Sequence, residues 1–498
     1  MIRTSLIGIK GDPGPAGAPG AAGAAGPAGA QGKSAYQSAV ESGFLGTENE
    51  WVKLSSDGAY PSNKLINNYP TVRGKPYLSD DTAGYTAINT AGGTIEPDSL
   101  RIDPITSCNM AKVTIPAGNT SYQSIDFYNL PVWQMDLDDV WMLLAYVPSV
   151  NSALSVQILV SNDASIGTNY RNFIWSGNNG MSRGYNLLSA LHKETSIGIT
   201  AYGTVGTTIR SAAWTNNGTE TDASQSRSIR VRVKLNSAQA TDTVVYFGSV
   251  LTAPAGWAKG AVIWMADDVP TAWNDLAIPV LESYGWVSTM AAVSAYSSDG
   301  GNYIQKNRLQ ELRLLGHEIL GHTRRHNNMV TSATDEKTRA IKAAAEYWNS
   351  VGIPTAAKYM AWPFGAFDDA AITILKDNGY KLALSIVGDA MNPLIAGTNP
   401  YYLNRLSIEL SNPWQVDSAI NGAILRGQGV VTYGHTPVVG GSGSPNHYPG
   451  STSFYIDHLK RWCDIVAAHE SAGRCVVTTF SQYFKMCGIN PETHNFVE

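Results

Sequence analysis

The chain has 498 residues, 43% of them hydrophobic and 15% charged, a balance that belongs to folded globular domains and excludes a wholly disordered polymer. At roughly 150 residues per domain, this length allows about three domains. A net charge of −5 gives no electrostatic reason to expect nucleic acid, and no apolar run reaches the ~18 residues that membrane insertion needs. An acidic polysaccharide stays compatible, because a groove can differ in sign from the whole surface. The opening MIRTSLIGIKGDPG breaks into Gly and Pro after a few apolar residues, too short a core for a signal peptide, so classical secretion is not expected. Cys108, Cys463, Cys475 and Cys487 show no CxxC spacing and read as buried thiols, not as a zinc knuckle or a disulfide framework.

From Gly8 to Gly32 every third residue is glycine, with Pro13, Pro15, Pro19 and Pro27 in the places between. Only a hydrogen fits at the axis of a triple helix, so this period predicts a collagen-like stalk over residues 1–33 and a homotrimer; a flexible Gly/Ala/Pro linker is the alternative. In residues 34–57, Ala35, Ala39, Val40 and Phe44 have helical spacing, which predicts a short trimer-forming connector. The stretch from Gly32 to Ser56 resembles a module that recurs beside collagen repeats in bacteriophage tail fibres.

Residues 58–256 change character. Apolar or alternating runs such as DVWMLLAYV (from Asp139), Leu154 to Val160, Ser228 to Leu235 and Thr243 to Val250 are separated by clusters such as SGNNG (from Ser176). No long helical period intervenes, so an all-β sandwich is expected. Its closing SRSIRVRVKLNSAQATDTVVYFGSV resembles the last strands of jelly-roll carbohydrate-binding modules. Aromatic residues on its faces could stack on sugars, although in β domains they more often fill the core.

Over residues 257–498 short apolar runs alternate with amphipathic windows. Strands are expected at Ala261 to Met265, Trp286 to Met290, near Glu318 to Leu320, and at Lys358 to Ala361, Leu382 to Ile386, Leu403 to Ile408, Val430 to Tyr433 and Cys475 to Thr479. Between them fall helices ending near Tyr284 and others over Gln305 to Leu315, Asp335 to Ser350, Asp368 to Asn378, Trp414 to Arg426 and Phe454 to Glu470. This rhythm points to a (β/α) barrel, and no GxGxxG or GxxxxGK[ST] loop marks a nucleotide site.

The strand GAVIWM runs directly into Ala266, Asp267 and Asp268, which places two carboxylates at a barrel's C-terminal rim, where catalytic groups gather. An Asp after a strand also caps helices, but capping needs only one. In GHEILGHTRRH, His322 and His326 stand four apart; on a turn of helix both rings would point the same way and could bind one metal, while His317 lies on the strand side as a core or supporting group. One carboxylate with two imidazoles leaves positions open for water and a carbonyl oxygen, the layout of a hydrolytic site. The second carboxylate can then take a proton from that water, and Asp267 and Asp268 can divide these roles.

Taken together, MADDVP, GHEILGHTRRH, AWPFG (from Ala361), DNGYKLALSI, LNRLSIE and GVVTYGH resemble, in order, the motifs of the polysaccharide deacetylase (NodB-homology) family, from about Lys259 to Phe484. The resemblance implies a distorted (β/α) barrel that removes acetyl groups from a polysaccharide. It implies Asp267 as general base, Asp268, His322 and His326 as metal ligands, His435 as general acid, and a groove lined by Trp362, Pro363, Phe364 and Gly365. Zinc is the first choice of metal; cobalt, nickel and iron suit the same donors. Two departures stand out. Ala266 and Val269 replace the Phe and Gly that usually flank the acid pair, and Ala361 and Trp362 stand where many members carry an arginine that orients the base. AWPFG is similar to the AYPYG-like variant of biofilm exopolysaccharide deacetylases, which also lack that arginine. The acid that would tune His435 is left open between Asp389, Glu409 and Asp457.

Stalk, connector, sandwich and deacetylase barrel together resemble a bacteriophage tail fibre or tailspike. That implies a homotrimer assembled in the bacterial cytoplasm, carried on the virion tail, joined to other tail proteins through its N-terminus, and acting on a host surface polysaccharide. The competing classes are a receptor-binding fibre whose barrel binds glycan without turnover, and a bacterial surface collagen-like protein.

Overall fold

The computed structural model describes residues 87–492, except 104–108, 129–132, 135–139, 150–152, 177–180, 182–183, 192–198, 201–207, 210–213, 220–224, 387–390, 393–399, 410–412, 441–448, 450–451 and 487–489. The expected collagen-like stalk and helical connector lie outside the described residues.

Two large antiparallel sheets precede the alternating region. One runs in the order Ala87–Asn89, Gln123–Phe127, Ser228–Leu235, Leu154–Ser161, Tyr170–Ser176, Thr215–Asn217. The other runs Thr94–Ile102, Asn109–Ile115, Thr243–Ala253, Val140–Val147, Gly184–Leu191. Alternation in SIRVRVKL explains the packing. Ile229, Val231, Val233 and Leu235 enter a core shared with Phe127, Trp141, Phe173 and Phe247, and Arg230, Arg232 and Lys234 face out. Hydrogen bonds join this part to the next, with Gly256 N donating to Leu425 O at 2.6 Å and Gln428 Nε2 to Leu187 O at 3.4 Å.

The C-terminal region is a curled parallel sheet covered by helices. Met265–Asp267, Thr289–Ala292, Glu318–Gly321, Tyr359–Ala361 and Leu382–Leu384 pair in that order. Gly260–Ile263 lies between Gly429–Tyr433 and Cys475–Val477, and Leu406–Ser407 adds to Gly429–Tyr433. Single bridges, Ala266 to Gly434 and Leu384 to Leu403, carry the curl round. Its strands are buried on both faces, which is why GAVIWMA reads as an unbroken apolar run. Ala261, Ile263, Met265, Leu320 and Leu384 face the inside of the curl, with Phe480 and Phe484 of the helix Phe480–Met486 packed among them. Val262, Trp264, Met290, Ile319 and Met360 face the outer helices. In Thr334–Ser350 the buried Ala340, Ile341, Ala344, Ala345 and Trp348 form one stripe against that shell. No helix among the described residues is long and apolar enough to cross a membrane.

The largest shifts are in two expected elements. The second strand starts at Thr289, three residues later than expected, because Gly285 (φ 76°) closes the preceding helix and Trp286 stacks on Tyr284 and donates to Glu470 instead of entering the sheet. The strand expected over Leu403 to Ile408 contracts to Leu406–Ser407.

Candidate metal and acid–base site

The C-terminal ends of these strands deliver the titratable groups. Met265–Asp267 ends in Asp267, and then Asp268 and Val269 both adopt φ 58°. A β-branched residue in the left-handed region is strained, and here the rest of the fold sustains it. Val269 is fully buried in the outer core and its carbonyl accepts from Ile304 N at 2.9 Å. The turn thereby brings the Asp268 side chain to the two histidines.

His322 and His326 follow the strand Glu318–Gly321 in a turn, not on a helix, which corrects the helical placement expected from their spacing. Thr323 (φ 63°) and His326 (φ 55°) are left-handed, so no helical turn can form. The turn is held by its neighbour strand: His322 N donates to Ala292 O at 3.1 Å and Ser294 N to Thr323 O at 3.2 Å. The rings still converge. Asp268 Oδ1 lies 3.8 Å from His322 Nε2 and 3.5 Å from His326 Nε2.

Whether these residues suit a cation is decided by their unused atoms. Asp268 Oδ1 and His322 Nε2 are buried without a hydrogen-bond partner, a costly state unless something sits between them. The donor atoms of Asp268, His322 and His326 all lie within 4.8 Å of one another. Bonds of about 2.0–2.2 Å in a tetrahedral site put donors about 3.4 Å apart, close to the observed separations. His322 Nδ1 donates to Ala361 O at 2.7 Å, which fixes the tautomer with Nε2 bare. Burial pulls His322 down to about 4 against the pull of Asp267 and Asp268, so it is neutral at pH 7. The triad fits a divalent ion.

Asp267 stands beside the triad and is 4% exposed. Burial would push its pKa up, but the Arg405 guanidinium, with Nη1 2.5 Å from Oδ1, together with His322 and His435 outweighs burial and holds the carboxyl below the usual carboxylate range. Arg405 is itself 1% exposed; its Nε donates to Ser385 O at 3.2 Å and its guanidinium lies 4.6 Å over the Tyr433 ring. AWPFG offers Asp267 no arginine, and the guanidinium that contacts it comes from LNRLSIE.

His435 follows Gly429–Tyr433, with Nε2 4.0 Å from Asp268 Oδ2. Glu409 grips it twice: Oε1 accepts from His435 N at 2.6 Å and Oε2 pairs with Nδ1 at 2.9 Å. Burial alone would lower the imidazole, but the Glu409 hydrogen bond and charge, aided by Asp267 and Asp268, raise it to about 9. Glu409 is therefore the acid left open by the sequence. Asp457 is paired with Lys460 on the helix Ile456–Ser471, and Asp389 lies outside the described residues. Arg405 and Glu409 flank the short strand Leu406–Ser407, so two buried charged residues set among Leu403, Leu406 and Ile408 were the available signal.

The expected groove residues divide. Trp362 is fully buried, stacked on Phe367 with its Nε1 bonded to Tyr401 O, so it offers no face to a ligand and only backs the wall. Pro363 and Gly365 are also buried. Phe364 (φ 59°) is 57% exposed and lies edge-on to His326 at 4.4 Å. His317 is buried, accepting from Ser288 N through Nδ1, away from the triad.

A carboxylate–imidazole triad suited to one divalent ion, with Asp267 and His435 beside it, is a layout able to activate water for hydrolysis at the rim of a curled β/α sheet. Residues 257–383 match the family model for polysaccharide deacetylase. No curated protein matches the chain. Similar solved structures include a deacetylase of Streptococcus pyogenes in complex with acetate, at 18% identity, covering 34% of this chain and 63% of that one, with TM-score 0.25. A family 4 carbohydrate esterase from Streptomyces lividans in complex with acetate is 14% identical over 48% of this chain and 96% of that one, with TM-score 0.31. The Xyl-CE4 domain of a multidomain xylanase from the hindgut metagenome of Trinervitermes trinervoides is 15% identical over 47% and 95%, with TM-score 0.33. The chain spans less than two thirds of the streptococcal protein's length.

Proposed function

We propose that this protein hydrolyses acetyl groups from a polysaccharide and depends on a divalent metal, with zinc the first choice. The observation that carries the proposal is the pair of buried, unpartnered atoms, Asp268 Oδ1 and His322 Nε2, facing one another at 3.8 Å, with His435 Nε2 4.0 Å from the other oxygen of Asp268. A divalent ion among Asp268, His322 and His326 would lower the pKa of a water and polarise the acetyl carbonyl. Asp267, kept deprotonated by Arg405, takes the proton from the attacking water. His435, kept protonated by Glu409, gives its Nε2 proton to the departing sugar nitrogen or oxygen as the bond to the acetyl carbon breaks. Acetate and a deacetylated sugar result.

The wider setting is part of the proposal: a collagen-stalked homotrimer on a bacteriophage tail, joined to other tail proteins through its N-terminus and acting on a host capsule or exopolysaccharide. The unbroken glycine period and the tail-fibre-like connector support it, and three copies of a weak site would prolong residence on a polymer. The test is acetate release from acetylated capsule by the full chain supplied with zinc, beside Asp267→Asn. A loss of about 10²- to 10⁴-fold in the variant is expected; equal release from both would remove Asp267 as the base.

A further inference from the structure

Beside the metal triad stands an aromatic pair that the acid–base chemistry does not use. Tyr296 opens the short helix Tyr296–Asp299, Gly300 (φ 84°) and Gly301 (φ 97°) reverse the chain, and Tyr303 returns to stack on Tyr296 with ring centroids 4.4 Å apart and planes 25° from parallel. Both rings are half-buried, and neither hydroxyl bonds to a described residue. The pair is tied to both metal-bearing turns. Thr271 N donates to Asn302 O at 2.8 Å and Ile304 N to Val269 O at 2.9 Å, fixing Tyr303 to the turn after Asp268. Ala295 N donates to Arg324 O at 3.0 Å, fixing Tyr296 to the turn between His322 and His326. Gln305 Nε2 clasps the carbonyls of Tyr303 at 2.8 Å and Tyr296 at 3.3 Å. Burial, and after it the nearby charge of Asp268, push both phenols up.

A core role would bury both rings and satisfy both hydroxyls. A prebuilt pair with apolar faces and unused donors suits a sugar ring, whose C–H face stacks on an aromatic while its hydroxyls accept hydrogen bonds. We propose that Tyr296 and Tyr303 form a subsite for the sugar next to the one losing its acetyl group, so that the chain acts on polymers in preference to single sugars. This rests on the deacetylase reading of the same site.

The test compares the full-length zinc-supplied protein with Tyr303→Ala and Tyr303→Phe on nitrophenyl acetate and on an acetylated oligosaccharide. The ratio of kcat/KM on the oligosaccharide to that on the ester should fall about five- to tenfold in Tyr303→Ala, through KM, and be largely restored in Tyr303→Phe. Tyr296→Leu supplies the same comparison if Tyr303→Ala does not fold. An unaltered ratio, with the wild type active on both substrates, overturns the subsite and leaves the deacetylase reading standing. If the wild type releases acetate from neither, that reading falls, and calorimetry with the deacetylated oligosaccharide decides the subsite: weaker binding by Tyr303→Ala supports it, and equal binding overturns it.

Discussion

Two arginine–carboxylate pairs, one in each half of the molecule, look alike by distance and differ in what they leave undone. In the sandwich, Arg230 Nε lies 2.5 Å from Asp126 Oδ1, Nη2 lies 2.7 Å from Oδ2, and the Tyr128 hydroxyl closes the set at 2.6 Å from Oδ2. Both carboxylate oxygens are occupied, and the group, with Asp126 itself buried, sits on the strand face opposite the core residues Ile125 and Phe127. At the rim of the curled sheet, Arg405 meets Asp267 through Oδ1, and the neighbouring Asp268 and His322 keep buried atoms without partners. Five of the six described non-glycine residues with positive φ, namely Asp268, Val269, Thr323, His326 and Phe364, are at this rim. A pair whose bonds close on themselves serves the fold. One that borders strain and unsatisfied atoms serves a ligand, because a folded chain holds those costs only where the surroundings enforce them.

The contrast is sharpened first by Arg405→Met. Removing one member of a buried pair leaves an uncompensated charge, so stability should fall by about 3–5 kcal/mol and activity by roughly 10- to 100-fold. With the guanidinium gone, burial raises Asp267. Because the active form is deprotonated, the acid limb of the kcat/KM profile should then move to higher pH. Denaturant unfolding together with that profile checks both, and an unmoved limb would separate Arg405 from the base.

Glu409→Gln should have a narrower effect. His435 must be protonated to act, so activity should decline as pH rises through its pKa, which lies near 9 before any metal opposes the pull of Asp268. A lost charge-assisted hydrogen bond of about 1.5–3 kcal/mol should move that alkaline limb down by about 1–2 pH units, leaving the acid limb in place. A profile unchanged on its alkaline side would contradict the acid role of His435. The smallest effect is expected for Arg230→Met: about 1–3 kcal/mol of stability, read by thermal unfolding, with acetate release per folded molecule unchanged. A loss of turnover there would break the distinction between the two pairs.

Much of the rim was legible because MADDVP, GHEILGHTRRH and GVVTYGH each sit where an apolar run ends, and strand ends are visible in sequence. Arg405 and Glu409 were harder, because what places them is long-range pairing: Leu403 against Leu384, and Leu406–Ser407 against Thr432 and Tyr433. The strand they flank, Leu406–Ser407, is only two residues long, too short for periodicity to reveal. The helical reading of His322 and His326 failed for a related reason. Spacing of four fits a helix, but Thr323 and His326 take left-handed angles imposed by hydrogen bonds from the adjacent strand and loop, which no local propensity encodes. Trp362 shows that a motif gives order along the chain and not exposure.

The central claim, that a cation among Asp268, His322 and His326 drives acetyl hydrolysis, is tested most directly by measuring acetate released from acetylated polysaccharide before chelation, after chelation, and after one equivalent of zinc is returned. Release should be lost with the metal, recover when it is returned to the wild type, and not recover in His322→Ala. Undiminished release from chelated, metal-free protein would contradict it.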